Sequence, residues 1–257
     1  MVPRISAISY PKMNPPMPDA QSEKQEYVRS LFDGIARRYD FLNHFLSFGF
    51  DILWRRRSVQ LLAHYRPKTI LDLATGTADL AIEAATTLNA TVVGIDISDE
   101  MLTIGKEKVH GRGLAHRVTL RRGRAEALDF ESDSFDAATV AFGVRNFSNV
   151  GQGLREMHRV LRPGGVALVL EFSKPRVFPF NTLYGFYFRR ILPFIGGLVS
   201  QSRASYEYLP NSVHQFPDGS EFLNILQSAG FTRTESHPLT MGIATIYLGV
   251  KESTKPE

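Results

Sequence analysis

Asp72 and Asp96 stand on either side of a run of small residues, Thr75-Gly76-Thr77. Small residues in a turn let a backbone come close to a ligand, and an acid about twenty residues further on is placed to accept hydrogen bonds from ribose hydroxyls. Asp72 precedes the turn, where a strand that binds a nicotinamide dinucleotide presents apolar residues. An acid there suits a ligand with a positive group, such as the ammonium of a methionine moiety. Met101, a helical turn beyond Asp96, is spaced to pack on an adenine. Each aspartate alone also reads as a turn or helix-capping carboxylate; the pair at this spacing is what points to a nucleotide. Of the G-x-G-x-x-G pattern the chain keeps only Gly76.

These residues need a strand, a tight turn, a helix and a second strand to hold them. Thr69 to Ala74 is a short apolar run, Ala78 to Leu88 suits a helix, and Thr91 to Ile97 suits a buried strand. Further strands are expected at 118–122, 135–142 and 166–172, with a helix near 150–161. A helix at 220–228, stopped by Gly230, precedes two closing strands near 231–237 and 245–250. This alternation predicts an α/β fold: a doubly wound, Rossmann-like, seven-stranded sheet, mostly parallel with an antiparallel C-terminal strand. Before it, residues 23–66 read as a helical cap, with Val28, Leu31, Phe32 and Ile35 on one face and Gly49 as a break. Residues 174–211 interrupt the rhythm with aromatics and prolines and read as a lid insertion. Five prolines, Pro3, Pro11, Pro15, Pro16 and Pro18, make residues 1–22 a tail. The expected organisation is therefore one domain over 23–251, with a second tail at 252–257.

The 257 residues carry no cysteine, which excludes disulfides, thiolate metal sites and a cysteine nucleophile. No H-E-x-x-H or comparable ligand cluster is present, so no metal is expected. Thirty basic against 26 acidic residues give a net charge of +4, which favours anionic surfaces in general. Without a signal-peptide pattern or a long apolar run, the chain reads as cytoplasmic, with contact at the inner face of a membrane left open. The clusters Arg55-Arg56-Arg57 and Arg121-Arg122 read as solvated faces, and without interleaved stacking aromatics they do not argue for nucleic acid. His44, His158 and His214 lack a supporting partner in the sequence.

Two blocks, YDFLNHFLSFGFDILW (39–54) and RVLRPGGVALVLEFS (159–173), resemble the signature blocks of the ubiquinone/menaquinone biosynthesis C-methyltransferase family. FDGIARRYD (32–40), LDLATGTADLA (71–81), FGVRN (142–146) and YEYLPNSVHQFP (206–217) resemble other blocks of that family in the same order, so the likeness covers about 25–251. Pro163-Gly164-Gly165 is read as a sharp turn between helix and strand. The resemblance implies a class I methyltransferase that uses S-adenosylmethionine to methylate a ring carbon of a polyprenylated quinol. On that footing the cofactor-binding residues are Asp72, Thr75, Gly76, Asp96, Met101, Arg124, Ala125, Tyr39 and Asn43. Tyr39, Asp40 and Asn43 would cap the methionine end. Arg145 and Asn146, at the carboxyl edge of the sheet, are catalytic candidates together with Tyr39. The guanidinium would stabilise developing phenolate charge and Asn146 would fix a ring oxygen; an arginine is a poor base.

Three departures stand out. Ala74 and Ala78 occupy positions where the general pattern has glycine. Arg124 replaces an Asp or Asn that lies near the adenine in many relatives, which leaves backbone contacts at Arg124–Ala125. Asp51 replaces a signature histidine, so no role of that histidine carries over. The aromatics between Phe178 and Phe188, with Arg189 and Arg190, are expected either to form a lid that rests on a bilayer or to be packed as a helical insertion. A second copy of the chain is a further candidate partner. The acceptor expected is demethylmenaquinol, with the polyprenyl methoxy-benzoquinol of ubiquinone synthesis as alternative. An NAD(P)-dependent oxidoreductase and a non-catalytic scaffold are the rivals from other classes.

Overall fold

The computed structural model describes residues 21–175, 182 and 203–253. Helices α1 (Gln21–Leu46) and α2 (Phe50–Ala63) come first, separated by Gly49 at φ +76°, the conformation glycine adopts most readily. Strands β1 (Thr69–Leu73), β2 (Thr91–Asp96) and β3 (Val118–Arg122) alternate with α3 (Asp79–Leu88) and α4 (Asp99–Gly111). β4 (Phe135–Ala141), α5 (Val150–Val160) and β5 (Leu161–Phe172) follow, then α6 (Arg203–Gln215), α7 (Ser220–Ser228), β6 (Thr232–Leu239) and β7 (Ala244–Val250).

The seven strands form one sheet in the order β3-β2-β1-β4-β5-β7-β6. β1 to β5 run parallel, and β7 is antiparallel to both of its neighbours. This is the doubly wound, Rossmann-like sheet expected. Alternation along the strands sends side chains to two cores. Ile70, Leu168 and Ile246 face the side covered by α2, α3 and α4, while Leu71, Val169 and Tyr247 face α5 and α7. Both sets are fully buried or nearly so.

Two local expectations are corrected. The Pro163-Gly164-Gly165 turn does not separate helix from strand; it is a bulge inside β5. Leu161 already pairs with Phe135, and pairing resumes at Val166 with Ala137, while Gly164 (φ +81°) donates its amide to Lys251 O. The helix after the aromatic interruption runs on to Gln215, past the expected boundary at 211. The aromatics at 178–188 lie outside the described residues.

Candidate active site

The turn after β1 has an unusual backbone. Ala74, Gly76 and Ala78 all have positive φ, at +48°, +54° and +68°. Those are the positions where the general pattern prefers glycine, and the alanines hold this shape at a conformational cost of about 1 kcal/mol each. Ala78 precedes α3 as its N-cap residue and offers no side-chain cap, which leaves the first amides of the helix without one.

Two buried carboxylates fasten this turn with neutral donors. Asp72 accepts from Thr75 Oγ1 and Thr139 Oγ1, each at 2.6 Å. Burial pushes its pKa up to about 6, against the pull of those two hydroxyls. Asp96 accepts from the amides of Gly76 (2.8 Å) and Ser98 (2.9 Å). Its pKa is also raised by burial, opposed by the same amides. Ser98 caps α4 by accepting from the Met101 amide and donates to Asp33 of α1 at 2.5 Å.

Beyond the turn, α1 and the carboxyl ends of the strands enclose a pocket of about 640 Å³, its open mouth included. Of the sequence-predicted residues, Tyr39, Gly76, Asp96, Met101, Ala125 and Asn146 line it. Asp72 and Thr75 sit behind the turn. Asn43 hydrogen-bonds Tyr39, whose pKa burial raises and that bond, then Arg145, pulls down. Arg124 is exposed and donates to Gln25 on the pocket wall at 3.3 Å. Asn146 accepts from Tyr208 OH at 2.9 Å.

Arg145 does not line the pocket. It is buried beside Glu171, with Nη1 2.7 Å from Oε1, and it also donates to Phe142 O and to Ser212 Oγ. Glu171 is fully buried, and its pKa is raised by burial and lowered by Arg145. Sequence reasoning passed over Glu171, although an acid inside the apolar run VALVLEF is a signal: a buried charge needs a partner. It also missed Glu126, which lines the pocket and accepts from Ser148 N and Oγ at 2.6 and 2.7 Å.

A second set of acids ties the helical cap to the turn through cations. Lys108 of α4 bridges Asp40 at 2.9 Å and Asp79 of α3, and Asp40 accepts from Thr77 Oγ1 at 2.6 Å. Arg55 pairs with Asp51 at 2.5 Å and with Asp79 at 3.4 Å. Arg55 is therefore buried rather than part of a solvated face, which corrects that expectation. His44 has a partner after all, with Nδ1 2.7 Å from Asp51 Oδ2. Burial pushes the Asp51 pKa up, but the Ser47 hydroxyl, Arg55 and His44 together bring it below the ordinary value.

The model of the ubiE/COQ5 methyltransferase family matches residues 20–251. A protein of Geotalea uraniireducens named ubiquinone/menaquinone biosynthesis C-methyltransferase UbiE is 48% identical, over 90% of this chain and 98% of its own. A demethylmenaquinone methyltransferase of Bacteroides fragilis is 41% identical, over 89% of this chain and 94% of its own. Among solved structures, an S-adenosylmethionine-dependent methyltransferase of Thermotoga maritima, described as a possible histamine N-methyltransferase, superposes with TM-score 0.60. At 18% identity, covering 87% of this chain and 99% of that one, it shares the fold.

Proposed function

The chain belongs to the ubiE/COQ5 methyltransferase family, and we propose that it methylates a ring carbon of demethylmenaquinol with S-adenosylmethionine as methyl donor. The sulfonium of that donor supplies an already activated methyl group. The observation that carries the reading is the Asp96 carboxylate at the pocket wall, held in place by two backbone amides and with no cation paired to it among the described residues. A ribose diol fits such a carboxylate. Met101 and Ala125 on the same wall suit an adenine, and Gly76 leaves room beside Tyr39 for the rest of the nucleotide. Asp72, with its raised pKa, supports a nearby ligand cation, which would favour its ionised form.

For the acceptor, Asn146, just after β4, and Tyr39 of α1 are polar groups on the pocket wall. They hold a ring oxygen and align the ring with the donor. Arg145 acts from behind them: locked by Glu171, its charge favours an anion in the pocket, as it does at Tyr39. The name of the Geotalea relative covers the ubiquinone branch as well, so the benzoquinol is the second reading. No described helix is long and apolar enough to cross a membrane. The test is methyl transfer to reduced demethylmenaquinone and to the benzoquinol, read by mass spectrometry. Methylation of neither quinol would sink the proposal.

A further inference from the structure

The hairpin of α1 and α2 carries an apolar surface that the site does not use. Among the described residues, seven large apolar side chains are exposed, and five of them, Phe41, Phe48, Phe50, Ile52 and Leu53, fall between residues 41 and 53. Phe48 is 77% and Leu53 55% exposed. A sixth, Met241, sits beside them, because Trp54 Nε1 donates to the preceding residue, Thr240, at 2.8 Å. An apolar concentration of this kind on a soluble fold marks an interaction surface.

The charges around it are mostly positive outward. Arg37, Arg38, Arg56 and Arg57 are exposed, Arg56 lying 4.0 Å from Glu83. The acids near the turn are paired: Asp51 is buried against Arg55 and Asp40 meets Lys108, the exposed Glu23 and Glu26 lying at the far end of α1. Apolar side chains rimmed by arginines fit a bilayer surface with anionic headgroups, where the apolar groups enter the acyl boundary and the arginines meet phosphates. The patch is also connected to the pocket. Phe50 stacks on Trp54 (6.2 Å, 22°), and Trp54 contacts Phe142 at 6.1 Å, which lines the pocket.

We propose that the α1–α2 turn, with Met241 beside it, is the element by which this protein docks on an anionic membrane, with its pocket opening toward the lipid. The docking rests on the surface itself; its purpose, delivery of a prenylated acceptor, rests on the function proposed above. The test compares co-sedimentation of the full chain with vesicles of phosphatidylcholine, with and without phosphatidylglycerol. The native chain binds the phosphatidylglycerol vesicles. The double variant Phe48→Ser, Leu53→Ser loses that binding about tenfold or more, as expected for two apolar side chains withdrawn from lipid. Arg56→Gln with Arg57→Gln weakens it and removes most of its salt dependence. Melting temperatures of both variants are read alongside, so that binding is compared between folded chains.

Methyl transfer separates the two proposals. A water-soluble, short-chain quinol is turned over equally by native chain and apolar double variant, whereas long-chain quinol in vesicles is methylated more slowly by the variant. Lipid binding that the variants abolish, with no methylation of any quinol, upholds docking and rejects the acceptor. Vesicle binding unchanged in the apolar double variant overturns the docking proposal. So does a native dimer that this variant dissociates, with no vesicle binding, since the patch would then be a subunit interface.

Discussion

The acids around the pocket are held in two different ways. Asp72 and Asp96 are fastened by hydroxyls and backbone amides, with no cation paired to them among the described residues. Asp40, Asp51 and Asp79 on the other side of the turn are paired with Lys108 and Arg55. Both sets stiffen the same turn, yet the electrostatic result is opposite. Neutral donors orient a carboxylate without cancelling its charge, so burial raises the pKa of Asp72 and Asp96, of which only Asp96 lines the pocket. At Asp51 burial pushes the pKa up, but the Ser47 hydroxyl, with the added charges of Arg55 and His44, brings it below the ordinary value. The Arg145–Glu171 pair is the second arrangement taken into the core, where it fixes a cation instead of an acid.

The largest effect is expected there. Glu171→Ala leaves Arg145 charged and buried with no counter-ion, a loss of about 3–5 kcal/mol when one partner of a buried pair is removed. Chemical denaturation reads it directly. A loss below about 1 kcal/mol would mean that the guanidinium reaches water by itself and that the pair is not a buried one. Next comes Asp96→Ala, which removes the proposed ribose acceptor and leaves the Gly76 and Ser98 amides without a partner. Hydrogen bonds to a charged group contribute about 1.5–3 kcal/mol each, so S-adenosylmethionine affinity falls about tenfold to a hundredfold by calorimetry. Fold stability changes less than with Glu171→Ala. Unchanged affinity would move Asp96 into the structural set.

The two sets also differ in the sign of their pH dependence. Asp72 has a folded pKa near 6 against an ordinary value of 3.8. The folded chain therefore holds a proton that the unfolded chain has lost, and Asp72 makes stability fall as pH rises from about 4 to 6. Asp51 is depressed, so its contribution is present above 3.8 and is lost as pH falls through its lower folded value. Asp72→Asn should flatten the stability profile between pH 4 and 6, whereas Asp51→Asn should act only below it. A ligand cation near Asp72 adds a further signature: binding S-adenosylmethionine near pH 5.5 should release protons, and Asp72→Asn should abolish the release. Titrations in two buffers of different ionisation enthalpy measure it. No proton release in the native chain would remove Asp72 from the ligand and leave it as the anchor of Thr75 and Thr139.

The sequence carried the sheet clearly, because alternation within strands and helical spacing between them are local patterns. β3 and α7 lie where these patterns put them. Pro163-Gly164-Gly165 misled, since a turn signal does not say whether the chain leaves the strand or bulges within it. The acids at the turn were legible as a pair from spacing alone. Their partners were not: Thr139 lies 67 residues from Asp72, and Glu171 lies 26 from Arg145. Which acid meets a hydroxyl and which meets a cation is decided by strand order, as β4 sits between β1 and β5. For the same reason Arg55, in a run of three arginines, could not be told from its exposed neighbours.

The smallest effect is expected at the middle of the cation-paired set. Lys108 holds Asp40 and Asp79 with about a quarter to a third of each side chain exposed. Solvent screens such pairs, and each contributes about 0–1 kcal/mol. Lys108→Met should therefore lower the melting temperature slightly, and the difference from native should shrink at high salt. S-adenosylmethionine affinity should fall far less than with Asp96→Ala, because Lys108 bonds Asp40, Asp79 and, at 3.2 Å, Thr77 Oγ1, and does not line the pocket. Equal losses in the two variants would erase the distinction between acids that face the ligand and acids that hold the frame. A large salt dependence of affinity in the native chain that vanishes in Lys108→Met would instead place the lysine's charge at the ligand.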